Sequence, residues 1–185
     1  MRLALRTCTS TIRLTSSDGR VDRKPVWGTC AGLVLLAEVA SATKKGGQEL
    51  IGGLDIRVLR NSYGRQIESF IADVSLPFVE KTRPDMPSSS DTFRGVFIRA
   101  PVVEEIISTS QHRPVEVLGR LQRPNGRETT SQGGESRGQD AGDIVAVRQG
   151  NVFATSFHPE LTDDIRIHVW WLRQVFESKS VIVAA

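Results

Sequence analysis

Cysteine is scarce in this chain: Cys8 and Cys30 are the only two in 185 residues. Two cysteines supply no disulfide framework of the kind that staples small secreted domains. No Cys/His cluster has zinc-ligand spacing. Long apolar runs are also missing. The best, Ala31 to Ala40, is interrupted by Glu38 and is too short to span a bilayer. Charge of one sign is nearly balanced: the net charge of +3 is too small to argue for nucleic-acid binding, and no basic stripe is interleaved with aromatics. No internal repeat is evident. What is present is ordinary for a globular domain, with 39% hydrophobic and 24% charged residues and enough length to bury a core.

Against that background one segment stands out. Pro25-Val26-Trp27-Gly28-Thr29-Cys30-Ala31-Gly32 leads directly into Leu33-Val34-Leu35-Leu36-Ala37. A short apolar strand running into a glycine-flanked cysteine and then a helix is the layout of a nucleophile elbow, with Cys in place of Ser. Gly28 and Gly32 lack a Cβ, so the turn can take strained dihedrals and the helix can approach the strand. A helix start directs free N–H groups toward the sulfur. Its field is expected to lower the thiol pKa, and the Ala31 N–H is a candidate oxyanion donor. Leu33, Leu36, Ala37 and Ala40 recur at helical spacing, which predicts a helix over Ala31 to Ala40. The alternative for Cys30 is an inert buried cysteine.

The second half of the chain bears on that choice. Val152 to Phe157 reads as a strand, and His158-Pro159-Glu160 follows it at once. A His at a strand end, with a carboxylate two residues on, supplies a general base and a group to orient it. Pro159 fixes the backbone between them. A surface His in a polar turn is the alternative for His158 standing alone. Paired with a cysteine elbow, Cys30, His158 and Glu160 read as a catalytic set.

Gly28-Thr29-Cys30-Ala31-Gly32 together with Ser156-Phe157-His158-Pro159-Glu160-Leu161-Thr162 resembles the class I, triad-type glutamine amidotransferases. Two further segments narrow the likeness. Arg60-Asn61-Ser62-Tyr63-Gly64-Arg65-Gln66 with Glu68-Ser69-Phe70, and Gly95-Val96-Phe97-Ile98-Arg99-Ala100-Pro101, are similar to the glutaminase subunit of pyridoxal 5'-phosphate synthase, the PdxT/SNO family. Gln149-Gly150-Asn151 also fits. The likeness covers roughly Lys24 to Phe176.

That resemblance implies an α/β fold, the three-layer flavodoxin-like sandwich of the class I amidotransferases. It implies hydrolysis of L-glutamine to L-glutamate and ammonia, with the ammonia supplied to a synthase subunit that builds the vitamin B6 ring. Cys30 is then the nucleophile, His158 the acid and base, and Glu160 its orienting carboxylate. Arg60, Ile98 and Arg99 are the implied glutamine contacts. A guanidinium fork suits a free carboxylate, whereas a structural ion pair is the reading of the two arginines without the family. The implied partners are L-glutamine and the synthase subunit, with no nucleic acid, membrane or metal and no cofactor. The implied location is the cytoplasm.

One departure is large. Family members carry a longer portion ahead of the elbow, including a Gly-Gly-Glu-Ser loop that lends an oxyanion N–H and contacts to glutamine. Nothing in Met1 to Arg23 matches it. Gly133-Gly134-Glu135-Ser136 does occur, but inside the Gly-, Ser-, Thr-, Gln- and Arg-rich stretch Gln122 to Gly142, and it reads as a coincidence of composition. Losing one oxyanion donor costs about 100- to 1,000-fold in turnover. Losing central strands leaves an unpaired edge. The expectation is therefore an N-terminally truncated domain with weak or no activity by itself, a form that docks on the synthase being the alternative.

The expected organisation is an unmatched leader over 1–23, an amidotransferase domain over 24–178 with a flexible insertion near 122–142, and a tail over 179–185. The leader is rich in Arg, Ser and Thr like a transit peptide, but lacks an amphipathic apolar face. Strands are expected over Gly53 to Arg60, Gln66 to Ala72, Thr92 to Arg99, Val115 to Leu121, Ile144 to Gln149 and Val152 to Phe157. Glu80 to Asp91 reads as a loop. A last helix is expected over Asp163 to Ser178, with Ile167, Trp170, Trp171 and Val175 facing the core.

Overall fold

The computed structural model describes residues 25–41, 49–60, 62, 69–80, 92–107, 113–122 and 142–183. Among these the chain order is β1 (Val26–Thr29), α1 (Ala31–Leu36), β2 (Ala37–Ser41), β3 (Leu54–Leu59), β4 (Ser69–Ser75), α2 (Pro77–Glu80), β5 (Thr92–Ile98), β6 (Val102–Ile106), β7 (Glu116–Leu121), β8 (Asp143–Gln149), β9 (Val152–Thr155), a 3-10 turn (Pro159–Leu161) and α3 (Arg166–Val183). The leader, most of the insertion with its Gly133–Ser136 string, the loop after Glu80 and residues 184–185 lie outside the described residues.

The strands join one mixed sheet, ordered β2-β3-β6-β8-β7-β4-β5, with β9 bridging β8 to β1. β1 runs parallel to β9 and β2 parallel to β3; the other pairs are antiparallel. β7 pairs along one edge of β8, and the other edge serves two neighbours in turn. Ile144 pairs with Val103 of β6, and Ala146 to Gln149 pair with β9. Gly150 at φ +60 and Asn151 close the β8–β9 hairpin, glycine taking the position whose φ is positive.

Side chains alternate across the sheet as the two-residue strand period requires. Val26, Val152 and Ala154 join Leu33, Val34 and Leu36 of α1 on one face. Trp27 and Phe153 face the other way, toward Val79 of α2 and Ile167 of α3. These three helices on two sides of a mixed sheet are the layers of a flavodoxin-like α/β sandwich. On the α3 side Trp27, Phe153, Trp170 and Trp171 form an aromatic cluster, with Phe153 lying 5.0 Å from Trp170 and 5.3 Å from Trp27 between ring centroids. Ile167 is fully buried and the two tryptophans are partly buried against the core, as their spacing predicts.

Several elements differ from expectation. The elbow helix ends at Leu36 rather than Ala40. Ala37 turns to φ −73, ψ 151, and the chain continues as β2 alongside β3. Leu33 and Ala37 are buried as read, but Ala40 is only partly covered. The apolar residues that fit a helical period also fit a strand half-buried on one face, and pairing with β3 decides between them. β4 covers Ser69–Ser75 rather than Gln66 to Ala72, whose first residues lie outside the described set. β9 ends at Thr155, two residues early. α3 starts at Arg166 rather than Asp163, with Asp164 Oδ1 accepting the Arg166 N–H at 3.0 Å. β6 and α2 are additions that no sequence reading anticipated. β7 and β8 do form the expected antiparallel pair around the insertion.

Candidate active site

β1 and β9 lie side by side in register, Gly28 against Ala154 and Thr29 against Thr155. Each strand therefore delivers its next residues to the same end of the sheet. On β1 that residue is Cys30, whose N–H donates to the Thr155 carbonyl at 2.8 Å. Cys30 has φ 48 and ψ −102. A side chain in this region costs about 1–3 kcal/mol unless the surroundings impose it. Here a strand ends and a helix begins within one residue, and the sulfur is carried onto the turn. The strain sits on the cysteine itself rather than on the glycines beside it.

The two glycines are not equivalent. A Cβ on Gly28 would lie 2.6 Å from Leu36 Cδ1 and 2.7 Å and 2.8 Å from the carbonyl carbon and oxygen of Gly32. Gly28 is thus what lets α1 fold back over β1. Around Gly32 nothing lies within 4 Å of such a Cβ, so the expectation that both glycines serve close packing is corrected.

After β9, the chain turns across β5. Thr155 Oγ1 donates to the Phe157 carbonyl at 3.2 Å, and the His158 N–H donates to the Val96 carbonyl at 2.8 Å. Phe157 is fully buried against Phe93 and Phe97, with ring centroids 5.5 Å and 5.6 Å away. A Cβ on Gly95 would come within 3.2 Å of the Phe157 ring, which explains a glycine inside that strand. Pro159 opens the 3-10 turn and brings Glu160 back to the imidazole, where Oε1 lies 2.7 Å from His158 Nδ1. With Nδ1 taken by the carboxylate, Nε2 is the nitrogen left for proton transfer. His158 is 21% exposed and Glu160 48%, so the pair is open enough for solvent to screen its charge.

Around the sulfur several groups compete. The thiol donates to the Ile98 carbonyl at a donor–acceptor distance of 3.7 Å. Its pKa is raised, not lowered as the helix start predicts. Burial is the largest cause; the Ala31 N–H opposes it, Glu160 raises it further and Arg99 lowers it. The Ala31 amide does act on the sulfur in the expected direction, but desolvation of a half-buried thiol beside a six-residue helix outweighs it.

The structure brings Cys30, Ala31, His158, Glu160, Ile98 and Arg99 to one place. Arg99 follows β5 at φ 45 with its side chain exposed, close enough to influence the thiol. Arg60 follows β3 one residue beyond the Leu59–Val102 pair. Val103 in turn pairs with Ile144, two residues from the Ala146–Thr155 pair that ends β9. The register thus carries Arg60 to the level of the strand ends. Sequence reasoning missed Thr155 and Val96, whose carbonyls hold Cys30 and His158. Backbone acceptors leave no mark in side-chain types; the one readable signal was Gly95, a glycine in a strand. Below the site, buried Gln149 donates from Nε2 to Asp55 Oδ2 and to the Arg113 carbonyl, each at 2.7 Å. It also accepts the Asp55 N–H at 2.7 Å. No group of metal-ligating side chains occurs among the described residues.

Residues 17–177 match the model of the SNO glutamine amidotransferase family. The chain is 44% identical over 159 residues to a probable pyridoxal 5'-phosphate synthase subunit PDX2 of Arabidopsis thaliana, covering 83% of this chain and 59% of the relative. It is 45% identical over 152 residues to the pyridoxal 5'-phosphate synthase subunit PdxT of Acidothermus cellulolyticus, covering 82% and 59%. A solved structure described as a glutamine amidotransferase superposes with TM-score 0.57 at 36% identity, covering 82% of this chain and 60% of the other. The chain thus spans about three-fifths of the length of these relatives. On this evidence the chain belongs to the SNO glutamine amidotransferase family.

Proposed function

We propose that this chain is the glutamine-hydrolysing part of a pyridoxal 5'-phosphate synthase, releasing ammonia for a separate synthase subunit. The observation that carries the reading is the pairing of strand ends: a cysteine at positive φ ends β1, and a His–Glu pair follows the parallel neighbour β9. The names of the PdxT and PDX2 relatives support the choice of pathway. Cys30 Sγ attacks the carboxamide carbon of glutamine while its proton passes to His158. His158 returns that proton to the departing nitrogen as the C–N bond breaks, leaving a thioester and ammonia. It then takes a proton from water, whose oxygen displaces the sulfur and yields glutamate and the free thiol. Glu160 holds the His158 tautomer and stabilises the imidazolium. The Ala31 N–H faces the developing oxyanion. Arg60, Ile98 and Arg99 hold the amino-acid end of glutamine, the guanidinium groups meeting its carboxylate.

The reading places the protein in the cytoplasm with its synthase partner, and it needs no cofactor. Among the described residues no helix is long and apolar enough to cross a membrane. A second reading, a docking form without turnover, is favoured by the raised thiol pKa and by β1 having β9 as its sole partner among the described strands. One assay separates them: ammonia release from L-glutamine with and without the synthase subunit, against Cys30→Ala. Release that requires the synthase and Cys30 supports the glutaminase. No release in either case, with the synthase bound, supports the docking form.

A further inference from the structure

β5 contacts both halves of the candidate dyad through one line of carbonyls. The Val96 carbonyl takes the His158 N–H at 2.8 Å. Two residues on, and so on the same edge of the strand, the Ile98 carbonyl takes the Cys30 thiol at 3.7 Å. The strand ends at Ile98, and Arg99 follows it at φ 45. An arginine has no intrinsic reason to adopt that conformation, and its φ helps to aim the Ile98 carbonyl.

We propose that the Ile98 carbonyl is a positioning group for the nucleophile, keeping the resting Cys30 as a protonated thiol until the sulfur turns away from it to react. The idea rests on the reading of Cys30 as nucleophile and assigns β5 a task beyond glutamine binding. A carbonyl oxygen accepts from S–H but repels a thiolate, so the contact favours the neutral form. While the proton points to Ile98 it is not offered to His158. The Arg99 charge lies on the opposite side of the balance, drawing the sulfur toward the thiolate. β5 thus holds the His158 backbone firmly through an N–H hydrogen bond and the thiol loosely through a sulfur contact. The first keeps the base in place, while the second lets the nucleophile leave.

The test weakens the acceptor without touching a side chain. Replacing Arg99 by its α-hydroxy analogue turns the Ile98–Arg99 amide into an ester, whose carbonyl is a poorer acceptor. The work is done in a Cys8→Ser background, so that Cys30 is the single thiol in the chain. The expected result is about two- to tenfold faster alkylation of Cys30 by iodoacetamide at pH 7, the range of one ordinary hydrogen bond. A merely structural contact predicts the same or a slower rate, and that outcome overturns the proposal. A second readout uses the unmodified backbone: the S–H stretching band of Cys30, identified by its loss in Cys30→Ala. It is expected at a lower frequency than a free thiol, and a band at the free-thiol position overturns the proposal. Neither measurement needs turnover. Faster alkylation in a protein that never hydrolyses glutamine would sink the glutaminase reading and leave this one standing. Turnover with unchanged alkylation would do the reverse.

Discussion

The two glycines of the elbow provide the sharpest structural prediction, because they look alike in sequence and differ in the fold. A methyl group on Gly28 would meet the Gly32 carbonyl at 2.7–2.8 Å and Leu36 Cδ1 at 2.6 Å. Two of these three contacts are with backbone, so no rotamer change relieves them, and α1 has to move off β1. Overpacking of this kind costs about 1–3 kcal/mol. For a chain of this size that is a fall in melting temperature of about 2–12 °C. Because Cys30 lies between the two contact points, the shift should also displace the sulfur and lower glutamine turnover, with the synthase present. A methyl group on Gly32 meets nothing within 4 Å. Gly32 lies in α1, where alanine is favoured over glycine by up to about 1 kcal/mol. The assay is thermal unfolding followed by circular dichroism for Gly28→Ala and Gly32→Ala side by side. Gly28→Ala should melt lower and Gly32→Ala at the same temperature or higher. Equal losses in both, or an unperturbed Gly28→Ala, would refute the packing argument.

Other predictions follow from the same geometry. Glu160→Gln keeps the size of the side chain but removes the charge that fixes His158, and turnover should fall by about 100- to 10,000-fold with little change in folding. The raised Cys30 pKa predicts slow alkylation near neutral pH, rising only as pH passes above the ordinary thiol range. A proton bound more tightly in the folded state stabilises it below the unfolded pKa, and that stabilisation is lost as pH rises through the folded value. Cys30→Ser should therefore flatten the alkaline limb of a stability–pH curve. Gln149→Ala strips partners from Asp55 and from the Arg113 carbonyl in a buried setting, which should cost roughly 2–5 kcal/mol. The urea midpoint should fall with the slope unchanged.

How much of this was legible beforehand depended on whether side chains carried the information. The strands that frame the site were readable because their apolar residues are bounded by turn residues: β5 ahead of Arg99, β8 and β9 around Gly150-Asn151, and β9 ahead of His158. The Cys30 and His158-Pro159-Glu160 motifs pointed to one site, and parallel pairing of β1 with β9 brings them to the same end of the sheet. β2 was hidden because Ala37 and Ala40 continue the helical spacing of Leu33 and Leu36, and only the partner strand β3 shows that the helix has stopped. Gly28 and Gly32 were indistinguishable because close approach depends on what packs above each. The thiol pKa went the other way because the helix field is written in the sequence and the burial is not. The Ile98 and Val96 carbonyls were invisible because every residue carries one.

The central claim is that Cys30 is a nucleophile in a glutamine site. Its most direct measurement is mass spectrometry after treatment with a glutamine analogue that bears an electrophile in place of the carboxamide, in the presence of the synthase subunit. The account predicts a single adduct on Cys30, prevented by excess L-glutamine and strongly slowed in His158→Ala. An adduct that L-glutamine does not prevent, or one that forms on another residue while Cys30 stays free, would contradict it.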